Sequence, residues 1–129
     1  MPLIRIDMIE GRSDGELKKL LDAAHKAMVE AFKVPERDRY QIVHEHPKSR
    51  MIIEDTGLDI PRTDDVIVVQ VTTRPRSVEM KQAFYELLVK YLEEDCGIKP
   101  SDVMVSMVTN SDEDWSFGFG RGQFLTGEL

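Results

Sequence analysis

The stretch VIVVQVTTRPRSVEM, residues 66–80, decides the fold. VIVVQV carries no charge and is aliphatic on both alternating sets of positions, the mark of a strand covered on both faces. Ser77 is placed as an N-cap, and Met80, Phe84, Leu87, Leu88, Tyr91 and Leu92 then recur at helical spacing to make one apolar face. Gly97 closes that helix, and IKPSDVMVSMV, residues 98–108, supplies a turn and a last strand.

The N-terminal half repeats this order. Leu3 to Met8 alternates apolar and polar, Ser13 and Glu16 form a capping box, and Leu17, Leu20, Leu21, Ala24, Met28 and Ala31 line a helix that Pro35 ends. Tyr40 to Val43 reads as a second strand, followed by a polar connection through Pro47, Gly57 and Pro61. GRSDGE (11–16) enters the first helix as PRSVEM (75–80) enters the second, and VPERD (34–38) leaves one as IKPSD (98–102) leaves the other. The pattern is an internal duplication within one domain, 1–129, divided into a first βαβ unit (1–64) and a second (65–129) that carries a C-terminal arm.

Right-handed crossovers would place both helices on one face of a four-stranded sheet, an α/β chain of the α+β kind. Two helices cannot cover both faces of strands this apolar. The expectation is therefore a homo-oligomer formed through the sheets; the alternative is that residues 111–129 fold over the open face.

At 129 residues, 41% hydrophobic and 32% charged, the chain can bury a core. The net charge of -7 disfavours nucleic acid or an anionic membrane as partner, so a basic site has to be local. One cysteine, Cys96, rules out an internal disulfide, and no long apolar run or basic leader is visible. A cytoplasmic protein is expected.

TTRPRS (72–77) is the sharpest chemical feature. Proline holds the residue before it extended, so Arg74 and Arg76 can present their guanidiniums to one side at a helix entrance, a carboxylate site. Solvated arginines flanking a cap are the alternative. Because GRS corresponds to PRS, these arginines are placed beside the start of the first strand, near Pro2. Removal of Met1 would make Pro2 a free secondary amine, and an α-amino group titrating near ~7.7–8.0 is set by its neighbours as base, nucleophile or acid. Asp38 is a candidate carboxylate for it, or a turn aspartate.

In the tail, Trp115, Phe117, Phe119 and Phe124 lie in DWSFGFGRGQF (114–124), as a pocket wall or a subunit-contact arm. Its glycines suggest no phosphate loop, because no helix is expected to follow so near the C-terminus. His44 and His46 share one side of an extended segment without a third ligand, so no metal site is expected, and His25 is read as helix surface.

Taken together, MPLIRID, LLDAAH.AMVEAF.VP..DRYQ, EDTGL, RPRS, DCGI.P.DV and NSD.DWSFG.GR..FLTG resemble the tautomerase superfamily over the whole chain, most closely its malonate semialdehyde decarboxylase branch. The resemblance implies Pro2 as the catalytic proline, Asp38 as its acidic partner that positions or activates water, and Arg74 and Arg76 as binders of the carboxylate of a small 3-oxo acid. It further implies an aromatic wall of Trp115, Phe117 and Phe124, a homotrimer, and no cofactor. Protonated Pro2 could polarise the aldehyde as general acid, or neutral Pro2 could add to it as an iminium, with Asp38 favouring the charged form. A hydratase or dehalogenase of 3-haloacrylates, a keto–enol tautomerase and a non-catalytic small-acid binder are the alternatives.

Overall fold

Each strand–helix pair recurs at a fixed distance along the chain. A computed structural model describes all residues, 1–129. The elements are β1 (Leu3–Ile9), α1 (Asp14–Phe32), β2 (Tyr40–His46), β3 (Ile67–Thr73), α2 (Val78–Cys96), β4 (Val103–Thr109) and a one-turn α3 (Gln123–Thr126). Three single 3₁₀ turns, Lys48–Arg50, Pro100–Asp102 and Asp112–Asp114, complete them. β1 runs parallel to β2 and β3 parallel to β4, and the two units join where β1 meets β3 antiparallel, giving the order β2-β1-β3-β4.

Local chemistry sets the boundaries. Ser13 Oγ accepts from Glu16 N at 3.2 Å while Ser13 N donates to Glu16 Oε1 at 3.1 Å, the expected capping box. Ser77 Oγ accepts from Met80 N at 3.1 Å. α2 ends on Gly97 at φ 68, a left-handed position that glycine takes without a steric penalty. α1 ends on Lys33 at φ 56, where a Cβ is disfavoured and Pro35 stops any continuation.

The core lies between the helices and one sheet face. Ile4, Ile6 and Met8 of β1 and Ile67, Val69 and Val71 of β3 pack against Leu20, Met28, Phe32, Phe84, Leu88 and Leu92 of the helices. Phe32 and Phe84 meet across the helices with centroids 5.6 Å apart, and the Tyr91 hydroxyl donates to Glu30.

Three expectations need correction. His25 is buried, and its Nε2 lies 2.8 Å from the Glu36 carbonyl oxygen; that ring nitrogen therefore donates, and the side chain ties α1 to the turn carrying Asp38. The second strand extends to His46, beyond the alternating run that ended at Val43, because Glu45 and His46 still pair with Met8 and Ile9. The tail does form a helix, of one turn only, over Gln123–Thr126. The sheet face away from the helices stays open, with Ile42, Met104 and Val108 exposed on it; the arm gathers at the end of the sheet instead. No helix is long and apolar enough to cross a membrane.

Candidate active site

Strand register brings the separate segments together. Leu3, the first residue of β1, pairs with Tyr40 at the start of β2 and with Thr72 at the end of β3. Pro2, Asp38 and the Arg74–Arg76 loop thus converge on one end of the sheet. Asn110 N donates to Thr73 O at 2.9 Å, so the arm leaving β4 starts from the same place.

The α-amino nitrogen here is that of Met1, standing in for the Pro2 amine that methionine removal would expose. It lies 4.0 Å from Asp38 Oδ2, a charge contact too long for a hydrogen bond. Burial pushes this amine down to about 6, and the Arg76 and Arg74 charges push the same way; Asp38 and Asp112 oppose them without prevailing. Asp38 does favour the charged amine, as expected, but burial outweighs it at this position. Burial also raises the Asp38 carboxyl above the usual carboxylate range, against the pull of the amine, Arg76, Arg74 and His25. Arg76 is lowered by burial and by Arg74.

Arg76 Nε donates to Thr73 Oγ1 at 3.1 Å, and its guanidinium lies 5.0 Å from the Phe32 ring centre. Arg74 stacks 4.0 Å over the Phe124 ring and pairs with Asp112 at 2.9 Å. Two buried side-chain polar atoms in the whole chain have no hydrogen-bond partner: Asp38 Oδ2 and Arg74 Nε. One is an acceptor and one a donor, and both are here. Buried polar atoms are ordinarily paired, and the meeting of these two at one end of the sheet makes it the candidate site.

The aromatic wall forms as a stack. Trp115 and Phe117 lie nearly parallel at 5.6 Å, Phe117 meets Phe124 edge-on at 5.7 Å, and Tyr40 stacks on Phe117 at 5.7 Å. Trp115 Nε1 donates to Asn110 Oδ1 at 2.7 Å. Gln123, buried, accepts from Phe117 N at 2.9 Å and donates to Gly118 O at 3.0 Å, which clamps the arm around its glycine bend. Phe119 takes no part: it is 91% exposed. A cavity of about 520 Å³ opens beside Met1, Asp38, Tyr40, Phe117, Gln123 and Leu129, and Arg74 and Arg76 are not among the residues that line it.

Sequence reasoning missed Tyr40, Gln123 and Asp112. Nothing in the pattern distinguished Gln123 or Asp112 from ordinary polar residues, whereas Tyr40 sits at a strand start beside Asp38 and could have been suspected. His44 and His46 do share a side, on the open sheet face. Arg5 Nη1 lies 3.2 Å from His44 Nε2, and His46 Nε2 lies 2.6 Å from Asp7 Oδ1. No cluster of three or more His, Cys, Asp or Glu side chains suits a metal.

Comparison with known proteins adds to this geometry. Residues 38–118 match a family described as tautomerase enzyme, and residues 2–59 match a second family of the same description. "Probable tautomerase YrdN" of Bacillus subtilis (strain 168) is 59% identical over 129 residues, the full length of both chains.

The chain belongs to the tautomerase family.

Among solved tautomerase-fold structures, a malonate semialdehyde decarboxylase described with decarboxylase and hydratase activities is 55% identical. It superposes with a TM-score of 0.97 over 98% of both chains. FG41 malonate semialdehyde decarboxylase, inhibited by 3-bromopropiolate, is 41% identical with a TM-score of 0.94, covering 98% of this chain and 97% of that one. A fused 4-OT, solved as a symmetric trimer, shares the fold at 21% identity and a TM-score of 0.78. The four-stranded mixed sheet with two long helices is thus the tautomerase fold.

Proposed function

We propose that this tautomerase-family chain decarboxylates malonate semialdehyde to acetaldehyde and CO2, without a cofactor, through the Pro2 amine freed by loss of Met1. The observation that carries the reading is the pair of orphaned atoms, Asp38 Oδ2 and Arg74 Nε, flanking the first amine beneath an aromatic wall. A short 3-oxo acid fits beside them: its carboxylate accepts from the guanidiniums, Arg74 Nε among them, its aldehyde reaches the amine, and the protonated amine is the donor facing Asp38 Oδ2. The 55% identity to a malonate semialdehyde decarboxylase supports the choice of reaction.

In the free site two guanidiniums and burial lower the amine's proton affinity. A bound substrate carboxylate changes the balance, because Arg74, Arg76 and an ammonium then face Asp38, Asp112 and the substrate in equal numbers. The substrate therefore raises the amine's pKa, and the ammonium donates to the aldehyde oxygen as general acid. The bond between the central carbon and the carboxylate breaks, its electron pair forms the carbon–carbon double bond of the enol, and CO2 departs. The enol returns its hydroxyl proton to the amine and takes one from water at carbon, giving acetaldehyde. Arg74 and Arg76 orient the carboxylate, Asp38 steadies the ammonium, and Trp115, Phe117 and Phe124 keep the cavity dry so that these charges act at full strength.

The open sheet face, with Ile42, Met104 and Val108 exposed, is read as the contact of a homotrimer. The trimeric fused 4-OT supports that reading at the level of the fold.

A second reading, keto–enol tautomerisation with neutral Pro2 as base, is favoured by surroundings that lower the Met1 amine at this place and by the name of the 59% identical relative. Incubating the purified protein side by side with malonate semialdehyde, a 3-haloacrylate and an enolised 2-oxo acid separates the readings. Acetaldehyde and CO2 from the first at the highest kcat/KM support decarboxylation; preferential ketonisation of the enol supports the second reading.

A further inference from the structure

Arg74 and Arg76 stand two residues apart in one loop and are held differently. Arg74 Nη1 donates to Asp112 Oδ1 at 2.9 Å, its plane covers Phe124, and its Nε is buried without an acceptor. Arg76 forms no ion pair; Thr73 Oγ1 is its closest hydrogen-bond acceptor. Asp112 opens the 3₁₀ turn at the root of the arm, yet the turn's own capping bonds run from Ser111 N and Oγ to Asp114 Oδ2, at 2.9 and 3.0 Å. The turn is thus capped without the Asp112 carboxylate, whose one ion pair is with Arg74.

We infer that Asp112 is a positioning residue that supplies a counter-charge to Arg74, fixing the guanidinium against Phe124 while limiting how strongly it holds the substrate carboxylate. The inference rests on the reading that these arginines bind that carboxylate. Its physical basis is that the carboxylate's charge vanishes when it leaves as CO2. Attraction to that charge in the bound substrate is therefore lost at the transition state and adds to the barrier. A guanidinium already shared with Asp112 offers orientation through its free Nε edge with less of this penalty, and the partly exposed aspartate can remain in place when the ligand binds.

The test uses the full chain as wild type, Asp112→Asn and Asp112→Glu, with calorimetric titration of propionate and of uncharged propionamide, and steady-state kinetics on malonate semialdehyde. Asn keeps an oxygen for Arg74 Nη1 and removes the charge. Asp112→Asn is expected to bind propionate about threefold to fivefold more tightly, the scale of a partly exposed ion pair. Propionamide affinity should not change, and KM and kcat should fall together. Asp112→Glu should retain the wild-type propionate affinity. Unchanged or weaker propionate binding by Asp112→Asn overturns the inference. So does a parallel change for propionamide, which would mean that the arm had merely loosened. Propionate binding by wild type without turnover of the aldehyde acid overturns the decarboxylase reading, and the titration still decides the role of Asp112. Absence of wild-type propionate binding overturns both.

Discussion

Asp38 and Asp102 hold equivalent places in the two βαβ units, 64 residues apart, and the units satisfy them differently. Asp102, fully buried, accepts from Thr63 N at 2.7 Å and Thr63 Oγ1 at 2.5 Å. Asp38 Oδ2 is buried and accepts nothing, with the Met1 amine 4.0 Å away. The duplicated arginine follows suit: Arg12, the counterpart of Arg76, donates to the Asp65 carbonyl at 2.7 Å. In the second unit the chain entering β3 closes the position, and in the first the carboxylate oxygen is left without a hydrogen-bond partner.

Stability and activity should therefore separate between the two aspartates. Asp102→Ala removes the fully buried carboxylate that accepts from both Thr63 N and Thr63 Oγ1 and should destabilise the fold by about 1–3 kcal/mol. Asp38→Ala removes a desolvated carboxylate whose Oδ2 has no partner and should leave the melting temperature unchanged or raised, with turnover largely lost. Thermal melting beside a turnover assay checks both; a strong loss of stability in Asp38→Ala would contradict the assignment.

A pH titration of stability carries the same signature. Burial raises the folded-state pKa of Asp38, so the native state holds this proton more tightly than the unfolded chain does. Asp38 therefore costs nothing below the unfolded pKa of about 3.9 and destabilises increasingly as pH rises through its folded pKa. Asp38→Asn should match wild type near pH 3 and exceed it at neutral pH. Urea melts across that range measure the difference, and identical curves would refute it.

The kinetic pH profiles should split. With the amine acting as an acid, activity is present below its pKa and lost above. The free site lowers that pKa through burial and two guanidiniums, and the bound carboxylate raises it. The descending limb of kcat/KM should accordingly fall at lower pH than that of kcat. Coincident limbs would mean that the substrate charge does not reach the amine.

Assembly is testable on the open face. Val108→Arg places a charge where other copies are read to sit, 47% exposed in the single chain. Sedimentation should show a trimer for wild type and smaller species for the variant, while helical content is retained. A wild-type monomer would contradict the proposed contact.

Much of the fold was legible because two periodicities and two serine caps recur at one spacing, and packing had no reason to override them. The approach of Arg74 and Arg76 to the start of the first strand was legible for the same reason, since duplication places RPRS where it must adjoin that strand, whereas Asp38 was only one reading of a turn aspartate. His25 was not, because a histidine on a helix looks alike whether it meets water or a carbonyl from the following turn. Gln123 and Asp112 act through partners that only the folded arm brings near, Phe117 N and Arg74 Nη1. The arm's path was hidden too, since its bend depends on left-handed positions at Gly120 and on a bridge from Gly118 to Arg121.

The most direct test of the central claim combines intact mass with turnover of malonate semialdehyde by wild type, Pro2→Ala and Arg76→Ala. The account predicts a wild-type mass lacking Met1 and equal yields of acetaldehyde and CO2. Pro2→Ala should lose about 10²–10⁴-fold in kcat, the scale of general acid catalysis, and Arg76→Ala should lose most of its kcat/KM, with both variants still assembled. Retention of Met1 on an active wild-type protein, or normal turnover by Pro2→Ala, would contradict it.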